Sequence, residues 1–244
     1  MRPPGPPPES KDMTETIAIF GATGECGRAI AAAALDQGYR VRVMVRNKAK
    51  LPATTRRHPH LTLLRGDILS LGAIRDTVAG ADYVINAVGG PVGRPNVFPV
   101  GRYAGFVRDL VGIMRETPSV RVFLHASGCL AADPDGSQPL TMKIVGAVWG
   151  HCVGIGPNTE EHVMEQQYLE SVREEVPFRT ICIRPGGLRR GAGGAELVAS
   201  ERPSARSLSG LAFGTTDFKD LGIFTVQALK DESLYGKYPY VVKA

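Results

Sequence analysis

Residues 17–27 read IAIFGATGECG: four apolar positions run into Gly21, and Gly24 and Gly27 follow at three-residue steps. A short β-prone run that stops at a glycine predicts a buried strand, and the alanine-rich stretch at 25–37, closed by Gly38, predicts a helix. Glycine lets the chain turn tightly and brings its backbone against a pyrophosphate, whose charge is held by free amides and the positive end of the helix. A glycine triplet alone is an ordinary turn. Strand, turn and helix in this order predict a dinucleotide-binding fingerprint formed by Gly21, Thr23, Gly24, Glu25, Cys26 and Gly27.

Downstream, residues 39–45 alternate basic and apolar side chains as a second strand. A site for NAD carries an acid about 20 residues beyond the glycines, at the end of this strand, to accept from the ribose hydroxyls. Here Arg46 follows Val45, with Lys48 and Lys50 on the next turn. A carboxylate would repel a 2′-phosphate, whereas Arg46 and Lys50 pair with it, so NADP(H) is the expected cofactor. Further strands are predicted at 61–65, 83–88, 121–125, 178–183 and 238–242. The helices between and after them are predicted at 69–78, 103–115, from Asn158 or Thr159 to Val172, and 217–229. Short apolar strands alternating with helices predict a single-domain, doubly wound (Rossmann) α/β fold over 15–244, its sheet mostly parallel and flanked by helices.

Between 130 and 158 the periodicity fails. Asp133, Pro134, Asp135, Gly136 and Pro139, then Gly154, Gly156 and Pro157, predict a long irregular excursion with one helix near 141–149, of the kind that covers a site. Residues 1–14, with five prolines among the first eight, read as a disordered tail. A chain of 244 residues that is 43% hydrophobic can close one large core. Twenty-nine Lys and Arg against 24 Asp and Glu give a net +5, spread along the chain, which suits a phosphate-bearing small molecule and argues against nucleic acid. Cys26, Cys129, Cys152 and Cys182 form no C-x-x-C pair, and no apolar stretch approaches a membrane span of about 18 residues. Free thiols, no metal site, no membrane partner and a cytoplasmic location are expected.

The sequence resembles the atypical short-chain dehydrogenase/reductase superfamily of NAD(P)-binding Rossmann proteins, closest to its biliverdin reductase B (flavin reductase) and NmrA-like group. The likeness rests on IAIFGATGECG, VMVRNKAKL at 43–51, RGDI at 65–68, NAVGG at 86–90, ASG at 126–128, RPGGL at 184–188 and the closing YGKYPY. It implies that Asp67 and Ile68 flank the adenine and that Val88, Gly89 and Gly90 pass beside the adenine ribose and pyrophosphate. It also implies that Ala126 and Ser127 reach the nicotinamide and that Pro185, Gly186, Gly187 and Leu188 line its other side. A monomer or homodimer is implied as well.

Dehydrogenases of this kind use a Tyr as acid/base with a Lys four residues later that lowers its pKa. None of the seven tyrosines here has that Lys, which counts against epimerase, dehydratase or ordinary alcohol dehydrogenase activity. Hydride delivery to an easily reduced small-molecule acceptor needs less help, since positioning carries most of the reaction. The resemblance implies NADPH-dependent reduction of a flavin, quinone or tetrapyrrole, with Ser127 a donor to the acceptor; His162, near the start of the helix after the excursion, is read either as a source of the proton or as an ordinary, partly exposed helix histidine. The alternative is an NmrA-like sensor that binds NADP(H) without turnover and reports redox state to a partner; a relative holding the nucleotide only for stability is a third reading. Cys26, at a helix start, is a place where a thiol pKa can fall, although small-residue packing explains it as well.

Overall fold

Ile17 and Ile19 face one side of β1 (Thr16–Phe20) and Ala18 and Phe20 the other, and all four are fully buried. A strand apolar on both faces must lie inside a sheet covered by helices on both sides. The computed structural model, which describes residues 15–90, 99–153, 156–203 and 216–244 apart from the side chains of 141 and 149–153, shows that arrangement. The expected tail at 1–14 and residues 91–98 lie outside the described residues.

An eight-stranded sheet runs in the order β3 (Leu61–Arg65), β2 (Arg40–Val45), β1, β4 (Tyr83–Asn86), β5 (Val122–Ala126), β6 (Arg179–Pro185), β10 (Tyr240–Lys243), β8 (Leu197–Ser200). Every pairing is parallel except that of β8 with β10. The strand order reverses between β1 and β4, which opens a crevice beyond their carboxyl ends. α1 (Glu25–Asp36) and α7 (Phe218–Ala228) cover one face. α3 (Leu71–Val78), α4 (Arg102–Arg115) and α6 (Gly156–Val172) cover the other. α7 lies close on α1 because Gly222 has no Cβ, which would meet the Ala29 carbonyl at 2.5 Å. Among the described residues no helix is long and apolar enough to cross a membrane.

The doubly wound fold is as expected, and three local expectations are corrected. The fourth strand stops at Asn86, not at 88, because the Asn86 side-chain oxygen accepts the Val88 amide at 2.9 Å and turns the chain. The excursion is largely helical: α5 (Leu140–Val153) is longer than the expected helix, and α6 begins at Gly156. Asn158 and Thr159 therefore lie inside the first turn and not at a cap, with Pro157 ahead of them where a missing N–H costs nothing. The excursion's start is pinned by buried Arg184, whose Nη1 is 2.8 Å from Asp133 and whose guanidinium stacks 3.9 Å over Tyr240. Short elements also escaped the pattern: α2 (Ala53–Arg56), β8, and a two-stranded parallel pair of β7 (Leu188–Arg189) with β9 (Thr216–Asp217).

Candidate functional site

Gly21 turns with φ +84°, and its carbonyl accepts the Gly24 amide at 2.9 Å, so the chain folds back at the tip of β1 and enters α1. A Cβ at Gly21 would collide with the Ala87 carbonyl, and one at Gly27 with the Gly21 carbonyl; at Gly24 the nearest atom would be 3.4 Å away. Gly21 and Gly27 are thus packing requirements of the turn, whereas a Cβ at Gly24 would make an ordinary van der Waals contact. The cleft above this turn collects the ends of four parallel strands. Gly21, Thr23 and Gly24 form its floor. Arg46 and Lys50 come from the end of β2, Gly66, Asp67 and Ile68 from β3, and Ala87, Val88 and Gly89 from β4.

The cleft brings together nine of the residues singled out in the sequence: Gly21, Thr23, Gly24, Arg46, Lys50, Asp67, Ile68, Val88 and Gly89. Arg46 is mostly exposed, 3.7 Å from Asp67, whose other oxygen accepts the Leu69 amide. Glu25 sits at the helix start but turns sideways, where Arg190 grips both carboxylate oxygens at 3.0 and 2.8 Å. That pairing holds the Glu25 carboxyl below its usual range and offsets a negative charge beside an anion site. Cys26 does not become reactive: its thiol packs against the core, and burial pushes it up to about 12. Tyr103, at the start of α4, lines the cleft without having been foreseen.

A second group lies where β4 and β5 end beneath α6. The register pairs Asn86 with His125 across the two strands, on the face that carries Val84 and Phe123. Asn86 Nδ2 is 3.1 Å from His125 Nδ1. His125 Nε2 lies 3.0 Å from Glu165 Oε2 in an ion-pair contact that falls short of an aligned hydrogen bond, and His162 Nδ1 lies 3.0 Å from the same oxygen. Glu165 and His125 are fully buried. Burial disfavours the Glu165 carboxylate, but the two imidazoles more than offset this and bring it down to about 2. An edge of the His162 ring reaches the surface between Gly89 and Gly128.

The donor atoms of His125, His162 and Glu165 lie within 4.8 Å of one another, a grouping that sequence spacing hides because it joins β5 to α6. Its hydrogen bonds argue against a metal. Asn86 Oδ1 is engaged by the Val88 amide, so the Asn86 amide donates to His125 Nδ1, and a ring proton of His125 sits on Nε2, where a metal would need a lone pair.

Ser127 stands just past the end of β5. It is buried, its hydroxyl accepts from Gln166 Nε2 at 3.1 Å, and it faces Cys182, because α6 presents a polar side chain inward at that point. Cys26, Gly27, Gly90, Ala126, Pro185, Gly186, Gly187 and Leu188 do not line the cleft; Leu188 packs on the core and the Pro185 carbonyl accepts the Cys129 amide. His125, Glu161, Glu165 and Gln166 were missed. The His-x-x-Glu step of 162 and 165 on one helix was the readable signal; the partnership with residue 125 was not.

A doubly wound sheet with a glycine turn at its switch point and basic residues at the end of the second strand defines a Rossmann nucleotide-binding fold. The model of the NAD(P)H-binding family matches residues 21–232, and the chain belongs to that family. Similar solved structures include an oxidoreductase of Lactococcus lactis, 14% identical with TM-score 0.70, the match covering 94% of this chain and 91% of that one. A short-chain dehydrogenase/reductase of Veillonella parvula in complex with NADP is 15% identical with TM-score 0.68, covering 93% and 94%. ChuY, an anaerobillin reductase of Escherichia coli O157:H7, is 14% identical with TM-score 0.69, covering 93% and 97%.

Proposed function

We propose that the protein is an NADPH-dependent reductase that acts on an easily reduced, planar acceptor of the flavin, quinone or linear tetrapyrrole class, with His162 supplying the proton. The observation that carries this reading is the imidazole of His162 set between Gly89 and Gly128, beside the cleft formed by the glycine turn and the ends of β2, β3 and β4. The residues present fit the cofactor: the small turn residues admit a pyrophosphate, Arg46 and Lys50 answer a 2′-phosphate, and Asp67 and Ile68 stand where an adenine would lie. When bound there, NADPH supplies a hydride. In the balanced reaction the acceptor gains that hydride and one proton, and the proton comes from His162 Nε2, whose electron pair stays on the ring. No Tyr in the sequence has a Lys four residues later to do this instead. The similar fold of ChuY, named for a tetrapyrrole substrate, is consistent with an acceptor of that class.

The test is titration of the purified protein with NADPH and NADH, followed by FMN, a quinone or biliverdin while nicotinamide absorbance is read. NADPH is expected to bind about tenfold or more tightly than NADH, a preference lost in Arg46→Ala, since a charge-assisted pair is worth about 1.5–3 kcal/mol. Steady oxidation with one acceptor class, reduced about tenfold or more in His162→Asn at unchanged NADPH affinity, supports the reading. Binding without oxidation would replace it with the sensor.

A further inference from the structure

We propose that Glu165 is the positioning residue for His162, itself set in place by His125 and Asn86, so that a buried chain from the cofactor loop does the work of the missing Tyr-Lys pair. This rests on the reading of His162 as proton source. The chain starts at Val88, which lines the cofactor cleft and gives its amide to Asn86 Oδ1. The Asn86 amide is thereby oriented, its NH2 toward His125 Nδ1, and the His125 Nε2 proton then faces Glu165. Glu165 Oε2 accepts a hydrogen bond from His162 Nδ1–H at 3.0 Å. With Nδ1 committed, the nitrogen that gains and loses a proton is Nε2, which would stand 3.8 Å from a Cβ at Gly128. Gly89 and Gly128 border the ring, at 4.0 and 3.4 Å from where a Cβ would stand. In turnover the doubly protonated His162 ring gives its Nε2 proton to the acceptor, leaving the neutral ring protonated on Nδ1, and Nε2 takes up a proton again from solvent at the exposed ring edge.

The charge accounting supports a functional role. Around Glu165 stand His125 from β5, His162 from its own helix, Tyr103 from α4 and Cys182 from β6. Tyr103 and Cys182 are pushed up, foremost by burial, and it is the two imidazoles that hold the Glu165 carboxyl down. Glu165 Oε1 and His125 Nε2 are buried without a hydrogen-bond partner among the described residues. A buried carboxylate so sparsely satisfied is a poor stabiliser, and such groups cluster at functional sites.

The experiment uses the full chain with 15N-labelled histidine rings. In the native protein His162 should show one tautomer, protonated on Nδ1. Glu165→Leu, which removes the acceptor, should give a mixture of tautomers and cut kcat about tenfold to a hundredfold, with NADPH affinity within about twofold. Glu165→Gln serves as the second variant if Leu disturbs folding. It keeps an acceptor oxygen but not the charge, and should retain the tautomer while losing kcat. A His162 tautomer unchanged in Glu165→Leu overturns the proposal, and so does a stoichiometric transition metal in the purified protein that Glu165→Leu releases. If the tautomer shifts yet no acceptor is ever reduced, the positioning role stands and the reductase reading is what fails.

Discussion

At Gly21 and Gly27 a single hydrogen in place of a methyl group decides whether the first turn can close. Gly21→Ala demands both a positive φ and overlap with the Ala87 carbonyl, and Gly27→Ala overlaps the Gly21 carbonyl, whereas Gly24→Ala meets nothing closer than 3.4 Å. Thermal unfolding of the cofactor-free protein should rank them accordingly. Gly21→Ala is expected to cost about 1–3 kcal/mol, at about 2–4 °C of Tm per kcal/mol. Gly27→Ala should cost a comparable amount and Gly24→Ala little; equal losses at all three would show that space is not what selects glycine here. The residues with this local logic were legible in the sequence, since turn, helix start and Arg46 all lie within 30 positions. His162 was legible as a single candidate, but its partners were not. Asn86, His125 and Glu165 meet only once β4, β5 and α6 are assembled, and nothing in linear spacing joins 86 to 125 to 165.

α6 is unusual as an element. Toward its C-terminal end Leu169 and Val172 pack into the apolar core, but before them the buried face carries Glu161, Glu165 and Gln166. Capping residues at 158 or 159 with Glu160 and Glu161 after them marked the helix in the sequence, and could not say that its inner face was polar. Glu161 explains part of this: its carboxylate accepts the amides of Tyr103 at 3.4 Å and Ala104 at 3.0 Å, capping α4 from a neighbouring helix. Removing the cap in Glu161→Ala should cost about 0.5–2 kcal/mol, read as a fall in Tm, with Glu161→Gln losing less because an acceptor remains. Other elements were illegible for a plainer reason. β7 and β9 have two residues each and β8 four, too few for a period to register, and their pairing joins residues about 30–45 positions apart. The excursion was misjudged because its glycines and prolines bracket helices without interrupting them.

Across the whole molecule, the end of the sheet away from the cleft is tied by one carboxylate. Glu15 receives Lys230 at 2.6 Å, Arg121 at 2.6 Å and the Tyr83 hydroxyl at 2.9 Å, joining the start of β1 to β4, β5 and the segment after α7. Burial works against its ionised form, but these hydrogen bonds outweigh it and carry the carboxyl from 4.5 to about 2. A carboxyl lowered by folding stabilises the native state fully above its unfolded pKa and loses that contribution as pH falls through the folded one. The Tm difference between the native protein and Glu15→Gln should therefore be greatest at neutral pH, shrink below about 4.5, and vanish near about 2. A difference independent of pH would refute this assignment. The polar inner face of α6 bears on time as well as on place. The half of the sheet from β3 to β5 can collapse on its own apolar surfaces, but the first turns of α6 gain little until His125 and the start of α4 are already in position to receive them. In native-state hydrogen exchange the amides of 160–166 should open before those of α4 and of 167–172, so that the last part of the chain to become native is the part assigned the chemistry.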